Sequence, residues 1–356
     1  MTRVMMLATL AGLVALGAAC SKKIERFTVD RVVERSLRQD DLGKACAMGE
    51  ALTHALTALP KASNPPRKAL VIAEATAAMC NELDARQAEL DVARAKETLS
   101  ALGDGRMPEI IDAGLEADRH NAMAARRFDR AWVHLEALYG PIGAIDGECP
   151  KVKEKDEIVF LIGLLSGTLS VLRDRTSGGS LDLPLDRINA VGRAAGCLDD
   201  ARWWNTPSAI QAAAWATVPG TAPDGVEPWA MLAEAADGGD STGVRVARAL
   251  QVRIAANAGL SEDVAAGIKK HADSLEQTKT PEEWSLLDEY ARLVTLHESD
   301  LLWTDAEGHR TRVLGELPGD SDSALTGPAL GADPFADDPF SAPTPDAGTP
   351  DAEESE

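Results

Sequence analysis

The side chains able to carry chemistry in this chain of 356 residues are five cysteines, six histidines, seven tryptophans and Ser166, set in an apolar run. Cys20 stands behind Leu16-Gly17-Ala18-Ala19, at the end of the uncharged, apolar stretch 4–19 that follows Arg3. A positive start, a short apolar region and small residues before a cut site describe a secretory leader, too short for a spanning helix. The remaining four cysteines, Cys46, Cys80, Cys149 and Cys197, are an even set without CxxC or Cys/His spacing. In an exported chain that favours disulfides over a metal site.

Cys46 falls on the apolar face of an expected helix with Leu42, Gly49, Leu52, Leu56 and Leu59. Cys80 falls on the matching face of the next, with Ala69, Ala73, Ala77, Leu83 and Leu90, a stripe that Gln87 interrupts. Both stand seventeen residues from Ser63, the centre of the turn at 60–66. An antiparallel hairpin therefore sets them at one height, facing each other. Cys149–Cys197 follows by elimination, with four buried free thiols as the alternative.

Catalytic signatures are missing from the sequence: there is no HExxH, GxSxG, phosphate-binding glycine loop or GxGxxG. Ser166 lacks the preceding glycine of a nucleophile elbow and reads as a core serine bonded back to a carbonyl. His134 reads as a half-exposed helix residue and His120 as the mark of a helix bend. His297-Glu298 with Asp300 reads as a solvated acidic face. The pairs Asp199-Asp200 and Glu282-Glu283 are explained by helix ends. No catalytic residue, metal ligand or cofactor is assigned. Six of the seven tryptophans follow residue 200, and Trp203, Trp204, Trp215 and Trp229 are interleaved with loops. Such residues line a ligand groove or an interface, or plug the ends of a helical array.

Net charge is −21, and the stretch 315–356 alone holds eleven carboxylates, with no basic residue after Arg312. The acidic balance argues against nucleic acid, which needs a basic face. It also argues against lying flat on anionic lipid, so attachment to a membrane should be covalent. The sequence Leu16-Gly17-Ala18-Ala19-Cys20 resembles the lipobox of bacterial lipoproteins, which implies cleavage before Cys20 and lipidation of its thiol. Ser21 after it, in place of the Asp that retains lipoproteins at the inner membrane, favours the periplasmic leaflet of the outer membrane.

Aromatics are only 4%, and Ala and Leu dominate, a composition that suits helices packed through small side chains. After a leader segment at 20–39, Asp40 or Asp41 caps a helix to 59. Asn64 with Pro65 starts another to about 102, which Gly103-Asp104-Gly105 breaks. Stretch 108–139 is one bent helix or two meeting near His120-Asn121. Asp156-Glu157 then opens fifteen residues without a charge, 158–172, apolar nearly all round and so a buried central helix. Gly163 and Gly167 within it let another helix approach closely. Further helices are expected at 186–197, from Thr206-Pro207 to 218, at 229–236, 244–258 and 261–278. A capping box Thr280-Pro281-Glu282-Glu283 opens the last, to about 303. The fold class is thus all-α, antiparallel hairpins in a tetratricopeptide-like α-solenoid or bundle over 40–314, without a clean 34-residue period. The Pro- and Asp-rich stretch 315–356 has the composition of a disordered tail.

The cysteine-terminated leader, Ala124-Ala125-Arg126-Arg127-Phe128-Asp129-Arg130-Ala131, Asp156-Glu157 before a glycine-containing apolar helix, and the last helix to Trp303 together are similar to one family. They resemble the T-component lipoproteins of tripartite ATP-independent periplasmic transporters, the TatT family. The resemblance implies a helical accessory that docks a periplasmic solute-binding protein or other envelope protein, or takes a small hydrophobic ligand, with no catalytic motif to carry over. A non-enzymatic scaffold or adaptor is the expected function, and self-association into a homo-oligomer is an assembly it admits. A cell-envelope hydrolase with an unrecognised site and a passive spacer are the competing readings.

Overall fold

The computed structural model describes Arg31 and residues 34–58, 66–102, 107–144 and 147–319. Cys20 with its leader, the turn centre at 60–65, the break at 103–105 and the tail from 320 lie outside the described residues. Among the described residues there are eleven α-helices and no strand. They are α1 (Glu34–Leu37), α2 (Leu42–Ala58), α3 (Arg67–Leu102), α4 (Met107–Tyr139), α5 (Glu157–Thr176), α6 (Asp186–Ala195), α7 (Thr206–Thr217), α8 (Pro228–Thr242), α9 (Val246–Asn257), α10 (Ser261–Gln277) and α11 (Ser285–Glu307).

Local signals account for most of these boundaries. Asp41 Oδ1 accepts the Lys44 amide at 2.8 Å, so the second of the two candidate aspartates caps α2. Helix α3 begins at Arg67, and its first carbonyl acceptor is Pro66, which takes the Leu70 amide at 3.0 Å. The stretch 107–139 is a single helix, uninterrupted at His120-Asn121.

Two expected caps fail for tertiary reasons. Thr206 is already helical; the cap is Asn205, in the left-handed region at φ 56°. Asp200 Oδ1 accepts the Ser208 amide there at 2.8 Å, doing from a distance what a capping side chain would do. Thr280 does not close a capping box. Its hydroxyl donates to Asp288 Oδ2 at 2.7 Å and a 3-10 turn, Glu282–Trp284, precedes α11. Asp288 needs that donor because it is buried beside Arg245, whose Nη1 lies 2.6 Å away.

Successive helices pack on one another from α2 to α10, and α11 returns against α3 and α9, closing the array as a bundle. One continuous core runs through it, drawing on residues from α2 to α9 and α11. Its axis is α5, buried on every side as its uncharged run requires. At Gly163 a Cβ would lie 2.6 Å from Leu135, and at Gly167 2.5 Å from Trp132 and 2.8 Å from Val191. The two glycines thus admit α4 and α6 against α5. Gly167→Val should destabilise the protein by about 1–3 kcal/mol through overpacking, read as a lowered urea midpoint. No change would mean that Trp132 moves freely, against its near-complete burial.

Both expected cysteine pairs stand at disulfide distance, with Cα–Cα separations of 5.1 Å for Cys46–Cys80 and 5.6 Å for Cys149–Cys197. The first joins α2 to α3. The second ties the segment ahead of α5 to the end of α6.

Candidate functional site

Helix α3 presents Glu82, Arg86 and Glu89 at steps of four and three, hence on one face. On a surface helix this would be a solvated charge stripe. Here α4, α5, α9 and α11 cover it. Arg173, 2% exposed at the end of α5, is bonded through Nε to Glu82 Oε1. Its Nη1 donates to Asn121 Oδ1 of α4 at 3.0 Å and lies 3.5 Å from Glu89 Oε1. Asn121 Nδ2 also donates to Glu89 Oε1, at 2.8 Å. From α11, the Tyr290 hydroxyl donates to Glu82 Oε2, and His297 Nε2 meets Glu89 Oε2 at 2.7 Å. Arg253 of α9 pairs with Glu298 at 2.7 Å.

Electrostatics fix the protonation states. Burial pushes Glu82 up, but the charges of Arg173 and Arg86 outweigh it and hold the carboxyl below its ordinary range. Burial likewise opposes ionisation of Glu89, and the His297 hydrogen bond with the Arg173 charge overcomes it. Arg86 is lowered, by burial first and by Arg173 second. Burial also lowers His297, against the pull of Glu89, which fits a neutral ring donating from Nε2.

Directly beside this network lies an apolar cavity of about 80 Å³ between α3, α5, α9 and α11. Helix periodicity explains why one follows the other. On α3 the face carrying Arg86 continues as Met79 and Ala75, and on α11 the face carrying Tyr290 includes Leu287, Ala291 and Val294. The walls are carbon except where Arg86, Arg253, Tyr290, Ser166 and Thr168 contribute polar atoms. Ser166 Oγ is spent on the Ile162 carbonyl at 2.8 Å, as a core helical serine should be. Arg86 Nε and Nη1 and Thr168 Oγ1 are buried without a partner. A more open groove of about 390 Å³, of mixed lining, shares Glu89 and Glu298 with the network.

The structure corrects the sequence reading of His297-Glu298 with Asp300. All three are buried, and Asp300 accepts the Thr311 amide at 3.1 Å. Facing helices supply the cover that a single helical stripe cannot reveal. Trp203 and Trp204 are also buried rather than lining an open groove. They pack edge to face with Trp284, whose ring centroid is 5.8 Å from Trp203 and 4.7 Å from Trp204. Trp203 Nε1 donates to Glu157 at 2.9 Å. Trp215 and Trp229 are half-buried and none of the four tryptophans lines the cavity. His134 is half-buried and lowered to about 4, chiefly by burial. Asp199 and Asp200 serve the chain ahead of α7, the former accepting the Arg202 amide at 3.0 Å. The network residues Glu82, Arg86, Glu89, Arg173 and Tyr290 were not foreseen. The available signal was Arg173 ending an uncharged run, and charges on α3 interleaved with Ala78, Ala85 and Ala88.

Elsewhere, His271 is fully buried with Nδ1 3.0 Å from Thr295 Oγ1 and is lowered to about 3 by burial and by Arg245 and Arg248. Its folded value lies below the ordinary 6.5, so the unfolded chain binds the extra proton first. Stability from this group is present above about pH 6.5 and drains as the pH falls toward 3, at up to about 1.4 kcal/mol per unit. NMR of the labelled ring should show His271 neutral in the folded protein at pH 5. A protonated ring there would refute the assignment.

Among the described residues no helix is long and apolar enough to cross a membrane, and no three His, Cys, Asp or Glu side chains are grouped to hold a metal ion. In comparisons with known proteins, no family model, curated protein or solved structure matches the chain.

Proposed function

We propose that this chain is a non-enzymatic binding protein, anchored by lipid at Cys20 and facing the periplasm, preferably from the outer membrane. Its working part is the apolar cavity between α3, α5, α9 and α11, which takes a small, largely apolar ligand. That cavity is the observation that carries the reading: a carbon-walled space beside a few buried polar groups has the character of a ligand site. The leader and the small residues before Cys20 support the location. The likeness to T-component lipoproteins supports a binding rather than a catalytic role.

A hydrolase would need a nucleophile beside an oriented base. His297 has its orienting carboxylate in Glu89, but its Nδ1 meets no hydroxyl or thiol, so the arrangement favours binding. Docking of an envelope protein is a second reading, favoured by one surface feature. Met107, Ile111, Leu115 and Met123 are exposed apolar residues at multiples of four along α4.

The test is binding of xenon, a neutral apolar probe, by the full chain, followed by ¹²⁹Xe NMR. Wild type should show a saturable shifted signal. Ala291→Leu, which fills the cavity from α11, should abolish it while leaving the thermal midpoint unchanged or raised. Absence of the signal, or its persistence in A291L, would overturn the cavity as the working site.

A further inference from the structure

We propose that the outward face of α4 pairs with the same face of a second copy of this chain, antiparallel, about a two-fold axis at Ala122. This stands apart from the cavity reading and commits the exposed apolar row of α4 to one occupant.

Helix α4 packs on α3 and α5 and turns Ala124, Phe128 and Leu135 inward. Of the six large apolar side chains exposed among the described residues, five lie on this helix: Met107, Ile111, Leu115, Met123 and Val133. Ile111 is 56% exposed and Val133 49%. Positions 111, 115, 122, 126 and 133 recur at steps of four and seven, and so share one stripe along the helix. Apolar residues scattered singly over a surface need no explanation, but a stripe gathered on one helix marks a contact.

Charge decides what fits it. The first part of α4, 107–118, holds Glu109, Asp112, Glu116 and Asp118 and no basic residue. The next, 119–130, holds four arginines against Asp129 alone. Arg127 is taken by Glu50 at 2.7 Å and Asp129 by Arg187 at 2.7 Å, while Arg119, Arg126 and Arg130 stay exposed. A parallel neighbour of the same sequence would set acid against acid. An antiparallel one sets the acidic part of each helix against the basic part of the other. A two-fold axis across the helix generates that arrangement and makes the contact identical from both sides.

The stripe also gives the register. With Ala122 on the axis, Ile111 lies opposite the partner's Val133 and Met107 opposite the partner's Ala137. Asp118 then meets the partner's Arg126. Ala122 meets its own copy, and its methyl group lets the two helices come close. The 33 residues of α4 make a rod of about 50 Å, and a stripe about 10 Å wide along it buries roughly 1,000 Å² over both copies. That is at the small end for a specific contact, so a Kd on the order of 10–100 μM is expected.

Sedimentation velocity on the full chain, from about 1 μM to about 1 mM, tests this. Wild type should show a reversible monomer–dimer equilibrium. Ile111→Glu, at an exposed position, should raise Kd at least about tenfold with the thermal midpoint unchanged. Asp118→Arg or Arg126→Asp alone should weaken the dimer about fivefold, and the two together should restore it, because the reversed pair meets across the axis. A chain that stays monomeric throughout leaves this face to a different partner and overturns the inference, as does a dimer indifferent to I111E. A double reversal no tighter than either single one overturns the antiparallel pairing. None of these outcomes touches the xenon test of the cavity.

Discussion

Arg173→Met is expected to destabilise the protein by about 3–5 kcal/mol, a large share of the ~5–15 kcal/mol that holds a domain folded. The reason is the position of Arg173 at the meeting point of three helices. It bonds Glu82 of α3 and Asn121 of α4, and lies near Glu89, from a site on α5 that is 2% exposed. Methionine would fill most of the space but leave Glu82 without its bonded guanidinium and Glu89 without the nearest one. Removing one partner of a buried pair exposes the full desolvation penalty of the other. Urea unfolding at pH 7, followed by far-UV circular dichroism, measures it.

Pairing R173M with Glu82→Leu in a double-mutant cycle should give a coupling of about 2 kcal/mol or more. A loss under about 1 kcal/mol for R173M would show that water reaches these carboxylates and that the network is not closed. Arg86 offers the contrast. It lacks a bonded carboxylate, so R86Q should cost clearly less than R173M. That ordering separates the arginine bonded to two other helices from the one held by a longer approach to Glu82.

Loss of either disulfide should cost about 4 kcal/mol, since the closed loops span 34 and 48 residues. The two bridges differ in what remains once they are gone. Helices α2 and α3 keep their contacts without Cys46–Cys80: Leu56 packs with Ala69, Leu70 and Ala73, and Gly49 sits tightly against Thr76. Cys149 lies instead in an exposed segment without helical hydrogen bonds, fixed to the end of α6 through Cys197. Cys149→Ala with Cys197→Ala should therefore give the larger drop in the thermal midpoint and open a protease site near residues 147–153. Cys46→Ala with Cys80→Ala should lower the midpoint without a new cleavage. Equal proteolysis patterns would show that other contacts hold that segment.

Much of the architecture could be read from local patterns. The 3.6-residue periodicity located the helices, the uncharged stretch 158–172 marked the buried axis, and hairpin register paired Cys46 with Cys80. Each of these depends on residues close in sequence or on counting along one turn. Local signals failed where a distant partner changed the meaning of a residue. Thr280 has the spacing of a capping box, yet Asp288 and Arg245 take its hydroxyl. Trp203 and Trp204 sit at a loop–helix junction, yet Trp284, some eighty positions on, buries them.

The candidate site is the extreme case. Glu82, Arg86 and Glu89 on one helix, and His297 with Glu298 on another, have the spacing of ordinary solvated faces. What the amino-acid order determined alone is where the chain turns, which faces are apolar and which thiols meet, because those follow from backbone geometry over a few turns. What only the assembled bundle decided is that these charged faces point inward and that Arg86 among them meets Glu82 only at 3.6 Å. Burial is set by what packs opposite, and no single helix carries that information.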